Sequence, residues 1–135
     1  METLVHYGQK VSQLYEAFQR GDINMIVNNV SRDCIWEVMG QPDIPHAGIY
    51  HGRDDVKEFF GKLNDDLDMS DFVVEHILEN GSVVMASGHM NALARKTNKR
   101  FSTFWCMMFE FNDNEEITHF RDCGDTLACA RAMKG

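Results

Sequence analysis

The spacing of apolar residues divides the chain into a helical half and a strand-like half. Leu4, Tyr7, Val11, Leu14, Tyr15 and Phe18 recur at the period of one helix face. Gly21 supplies a left-handed stop, and Asp22 can cap the next helix by accepting the free N–H groups of its first turn. Ile23, Ile26, Val27 and Val30 make a second, shorter stripe. Cys34 to Val38 is a short apolar run between polar and turn residues and reads as a strand. A loop with Pro42, Pro45 and Gly48 follows. Val56, Phe59, Phe60, Leu63 and Leu67 then predict a third helix starting near Gly52.

After residue 70 the period falls to that of a strand. Phe72 to Leu78 predicts one strand, and Asn80-Gly81 is a two-residue hairpin signal. Val83 to Ala94 predicts a second, Phe101 to Phe111 a third rich in aromatics and Met, and Ile117 to Cys123 the last. Thr97-Asn98-Lys99 and Asn112 to Glu115 turn the chain between them. Residues 125–133 predict a short terminal helix capped by Asp125. Helices first and a meander of long strands afterwards define an α+β domain. A strongly curved antiparallel sheet with three N-terminal-half helices packed over its concave face would enclose a cone, one end of which can hold a small molecule.

Composition narrows the function. The chain has 135 residues, enough for one domain with one core spanning 1–135. Its formal charge of −8 argues against a nucleic-acid partner. The densest basic stretch, Arg95 to Arg100, falls between two strands and reads as a solvated turn. Nothing approaches the ~18 apolar residues of a membrane span, and the first ten residues carry no signal-peptide core. Cys34, Cys106, Cys123 and Cys129 form no CxxC pair, so free thiols in a reducing cytoplasm are the expectation. The cysteines and histidines do not cluster as ligand pairs, so no metal is expected.

The order of elements, with Leu14 to Asp22, Asp33 to Glu37, Pro45 to Arg53, Val56 to Phe60 and Phe120-Arg121-Asp122 with Asp125, resembles the nuclear transport factor 2-like superfamily. The similarity is to its SnoaL-like branch of polyketide cyclases and ketosteroid isomerase relatives, and it covers almost the whole chain. That resemblance implies a cone-shaped α+β barrel, and a homodimer built through the outer sheet face, where Phe104, Cys106 and Met108 lie. The family holds enzymes as well as non-catalytic binding and association domains, so fold alone does not choose.

By the resemblance, Asp122 and Phe120 point into the cone and Arg121 and His119 away, since side chains alternate along a strand. It puts His89 and Asn91 inward with Ser87 and Leu93. It also puts inward Thr103, Trp105, Met107 and Phe109, and Cys34, Trp36 and Val38. The ketosteroid isomerase base falls at Val38 and its protonated acid near Met107, neither of which transfers a proton. The carboxylate–arginine–carboxylate set of limonene epoxide hydrolases becomes Asn91, His89 and Asp122. An aldol-cyclase type of chemistry needs less: Asp122 as base, with His89 or Asn91 polarising the substrate, and no cofactor. Tyr15, Trp36, Val38, His46, Tyr50, Phe60, Trp105, Met107 and Phe120 are then the candidate walls and rim for a hydrophobic, carbonyl-bearing small molecule. The alternatives left open are a non-catalytic ligand-binding module and an association domain whose cone is filled by side chains.

Overall fold

The computed structural model describes residues 5–134. Leu4, the first residue of the expected helical stripe, lies outside them. Helix α1 runs Tyr7–Gln19 and buries Val11, Leu14, Tyr15 and Ala17. Gly21 ends it at φ +79°, and Asp22 caps α2 (Ile23–Asn28) by accepting from the Met25 N–H. Strand β1 (Val30–Val38) and strand β2 (Gly48–His51) lead into α3 (Gly52–Asp66). Gly52 sits at φ +77°, where a Cβ would approach the Arg32 carbonyl oxygen to 2.8 Å, so this corner needs glycine. Asp55 then accepts from the His51 N–H at 3.0 Å and holds the start of α3.

Strands β3 (Leu67–Asn80), β4 (Val83–Ala94), β5 (Lys99–Phe111) and β6 (Ile117–Gly124) follow, and α4 (Thr126–Met133) closes the chain. Asp125 caps α4 by accepting from the Leu127 and Ala128 N–H groups, as expected. One open, curved sheet results, in the order β2-β1-β6-β5-β4-β3. Its inner face and the helices bury one connected core, with Val11, Val30, Val56, Val84 and Ile117 fully enclosed. No helix among the described residues is long and apolar enough to cross a membrane.

Five features differ from the sequence expectation. Strand β1 begins at Val30, which the apolar stripe had assigned to the second helix, and Leu67 opens β3 instead of ending α3. Strand β2 was hidden in the Pro/Gly loop; it pairs antiparallel with β1. The sheet is also not wholly antiparallel, because β1 runs parallel to β6. The first hairpin turn is Gly81-Ser82, one residue later than expected, since Asn80 already pairs with Val83.

Strand β6 lies between β1 and β5, and its register sets the interior. Val38, Asp122 and Met107 form one row across the three strands, and Trp36, Phe120 and Phe109 form the next. In the third row Trp105 sits between Gly88 on β4 and Gly124 on β6. A Cβ at Gly88 would lie 1.9 Å from the Val73 carbonyl oxygen and 2.6 Å from the Trp105 ring. The missing side chain is therefore what lets this indole lie across the sheet. Gly88→Ala is expected to destabilise the fold by roughly 2–4 kcal/mol, read as a lower urea midpoint with an unchanged slope. Wild-type stability in that variant would contradict this packing.

Candidate functional site

The concave face encloses a cavity of about 130 Å³. Its walls are aromatic because the inward rows of β1, β5 and β6 are aromatic. Trp36 stacks on Phe120 with centroids 3.9 Å apart, and Trp105 stacks on Phe72 at 4.8 Å. From α3, Phe60 packs edge-on against Trp36. From α1, Tyr15 lies 5.3 Å from Trp105, and its hydroxyl donates to the Met107 sulfur at 3.1 Å.

Asp122 lines this cavity. Its neighbours in the row, Val38 and Met107, offer no charge and no side-chain proton. Oδ1 is sealed from solvent and has no hydrogen-bond partner among the described residues. Burial pushes the carboxyl up from 3.8 to about 6. Neither Arg121 nor Arg53 pairs with it. Arg121 turns to the outer face and donates to Glu37 at 2.9 Å, and Arg53 donates to Glu116 and the Val30 carbonyl.

Two further buried polar atoms have no partner among the described residues: the indole Nε1 of Trp36 and that of Trp105. Both rings are 3% exposed and both line the cavity. An unpaired buried donor costs about 1–3 kcal/mol. The fold thus leaves two donors and one acceptor unsatisfied in the walls of a single cavity, each closed off from water. Tyr15 adds a hydroxyl that stays protonated, because burial first, and then the charge of Asp122, hold its pKa well above the usual value.

The cavity gathers most of the residues expected from the sequence. Tyr15, Trp36, Val38, His46, Phe60, Trp105, Met107, Phe120 and Asp122 all line it. Tyr50 does not; its hydroxyl donates to the His46 carbonyl at 2.8 Å and its ring packs on Phe59. His89 and Asn91 lie on the opposite face of the sheet. His89 Nδ1 sits 2.8 Å from Glu75, and Asn91 donates to Asp71 at 2.6 Å. The inward side of β4 is instead Val84, Ala86, Gly88 and Ala92, all buried. The expected parity was off by one residue, and one residue reverses every side chain of a strand.

Sequence reasoning placed His46 at the rim without its partner. The ring is 6% exposed, and its Nδ1 lies 2.8 Å from Asp66 Oδ2 at the end of α3. Burial lowers its pKa below 6.5, against the raising effect of Asp66. No residue spacing links positions 46 and 66; only the return of α3 across β2 brings them together. Among the described residues no group of three or more His, Cys, Asp or Glu could hold a metal ion.

Comparison with known proteins agrees with this fold. The model of the SnoaL-like domain matches residues 11–120, and the chain belongs to that family. No curated protein matches the chain in sequence. Among solved structures, a nuclear transport factor 2-like protein from Burkholderia thailandensis is 25% identical, with a TM-score of 0.87 over 98% of this chain and 100% of that one. TerC, co-crystallised with polyporic acid, is 18% identical, with a TM-score of 0.83 over 96% of this chain and 100% of its own. An epoxide hydrolase of the limonene epoxide hydrolase-like type from M. tuberculosis is 16% identical, with a TM-score of 0.71 over 94% and 88%. The last two likenesses are of fold.

The raised pKa of Asp122 has a consequence for stability. Its folded value of about 6 lies above the unfolded value near 3.8. The native state therefore holds more protons than the unfolded state between those values, and stability falls as pH rises through that window. Asp122→Asn is expected to be more stable than wild type by about 1–2 kcal/mol at pH 7.5, with the gain shrinking toward pH 4. Urea unfolding of both proteins at the two pH values checks this; an Asn variant less stable at pH 7.5 would show that Asp122 is a structural ion.

Proposed function

We propose that the cavity binds a hydrophobic carbonyl compound and that the chain is a cofactor-free proton-transfer enzyme of cyclase or isomerase type. The observation that carries this reading is the half-buried carboxylate of Asp122, whose sealed Oδ1 has no partner, beside unsatisfied donors. A general base works best with a pKa near the working pH, and desolvation moves Asp122 in that direction. Asp122 takes a proton from the carbon next to the carbonyl, and the electron pair shifts onto the carbonyl oxygen. The resulting oxyanion needs neutral donors, a role suited to the Tyr15 hydroxyl and the indole N–H groups. Asp122 then returns the proton to the same carbon or another one. His89 and Asn91 have no part in this scheme, because both point away from the cavity. TerC, similar in fold, was crystallised with polyporic acid, which supports a role in holding small molecules.

The outer sheet face favours a second copy of the chain as its cover. Phe104 is 77% exposed there, and Met85 and Ile35 are exposed elsewhere on the same face. A patch of this kind on a small protein calls for a partner surface, and we place a homodimer contact on it. The four free cysteines support a reducing, cytoplasmic setting. Phe104→Lys is expected to shift the protein from dimer to monomer in sedimentation equilibrium; a wild-type monomer at micromolar concentration would remove the contact.

The enzyme reading is tested with acetophenone in D2O, following exchange of its methyl protons by NMR. Wild type is expected to accelerate exchange, with a rate rising through about pH 6 as the base ionises. Asp122→Asn is expected to lose on the order of 10²–10⁴-fold. Tight ketone binding without exchange, unchanged in Asp122→Asn, would leave a binding module instead.

A further inference from the structure

The polar groups of the cavity divide into donors and acceptors, and the division constrains the ligand. The Trp36 and Trp105 indoles can only donate, whereas Tyr15, whose proton goes to the Met107 sulfur, can also accept. Thr103 is already engaged, since its hydroxyl donates to the Phe104 carbonyl at 2.9 Å. Asp125 is engaged in capping α4. His46 adds a ring nitrogen to the acceptors of the cavity, which also include the Asp122 carboxylate, the second Asp125 oxygen and the Tyr15, Thr103 and Thr126 hydroxyls.

Its chemistry follows from Asp66. A carboxylate only accepts, so the 2.8 Å contact places the ring proton on Nδ1. Nε2 then carries a lone pair, and Nδ1 makes the only ring hydrogen bond among the described residues. Nε2 is not among the buried atoms sealed from solvent. Burial favours the neutral ring, so the lone pair persists at neutral pH. The Tyr50 hydroxyl holds the backbone of His46, and Phe59 packs against its ring at 6.3 Å. Asp66 stands in the last turn of α3, where the helix dipole disfavours an acid. The His46 contact is the side-chain interaction that its carboxylate makes there.

We propose that His46, held by Asp66, is a hydroxyl acceptor, and that the ligand is a planar hydroxy-ketone whose O–H donates to His46 Nε2. Its carbonyl oxygen faces the Tyr15 and indole donors. This rests on the reading of the cavity as a carbonyl-binding site. The volume adds a size. A cavity of about 150 Å³ admits one benzene ring, and the present one is about 130 Å³. The enclosed part therefore seats a single ring.

The test compares acetophenone with 3- and 4-hydroxyacetophenone, using quenching of Trp36 and Trp105 fluorescence to obtain affinities. Wild type is expected to bind the better hydroxy-ketone about tenfold more tightly than acetophenone, on the scale of one buried hydrogen bond. In His46→Phe that ratio is expected to fall to near one. In case this variant fails to fold, ¹⁵N spectra of histidine-labelled wild type give a second readout. They are expected to show the Nδ1–H tautomer, with Nε2 shifting on addition of the hydroxy-ketone but not of acetophenone. Equal affinities in wild type, or a ratio unchanged in His46→Phe, would overturn the His46 assignment and leave the carbonyl site intact. Failure of every ketone to bind would overturn the carbonyl reading and this assignment with it.

Discussion

The arrangement of the interior depends on one costly placement, a half-buried carboxylate with one oxygen sealed and unpartnered. Asp122 occupies an inward position on β6, and β6 is held on both sides by β1 and β5. Its row neighbours are Val38 and Met107, and its chain neighbour Arg121 is committed to Glu37 on the opposite face. No local adjustment supplies a counter-charge. The chain responds as a desolvated acid must, by holding its proton to a higher pH. A group that destabilises the folded state at neutral pH is hard to explain by packing alone. A site that needs a base near neutrality accounts for it directly.

The rest of the inner face makes that placement tolerable and useful. The Trp36–Phe120 stack and the Trp105–Phe72 stack build rigid walls, and Gly88 and Gly124 flank Trp105 in its row. Rigid walls keep the cavity from collapsing onto the acid. They also hold two indole N–H groups without partners, so the cavity is apolar in area yet contains fixed donors. Directed donors in an otherwise apolar space discriminate between ligands by what they carry, since a ligand without matching oxygens leaves the donors unpaired.

Much of this was legible in the sequence. Helical spacing and its stops gave the N-terminal helices, and the period-two pattern after residue 70 gave four strands. Strand alternation put Phe120 and Asp122 on one face, and the family resemblance turned that face inward. Strand β2 was missed because Gly48-Ile49-Tyr50-His51 is too short to show a period and follows a Pro-rich loop. Val30 and Leu67 were assigned to helices because a terminal apolar residue fits either period. The error at His89 and Asn91 was avoidable. In β4 the even positions Val84, Ala86, Gly88, Met90, Ala92 and Ala94 are all apolar or small, while Ser87, His89 and Asn91 are polar. That alternation alone assigns the even positions to the core, whereas the family resemblance points to the odd ones. The His46–Asp66 contact had no signal in the sequence, because it depends on how α3 returns across β2.

As a desolvated acid facing the cavity, Asp122 is expected to titrate with a midpoint near pH 6, followed by NMR of its ¹³C-labelled side-chain carboxyl in the intact protein, and to shift when a ketone fills the cavity. A midpoint at or below the ordinary carboxylate value near 3.8, indifferent to any ligand, would contradict it and return Asp122 to the structural ions of the sheet.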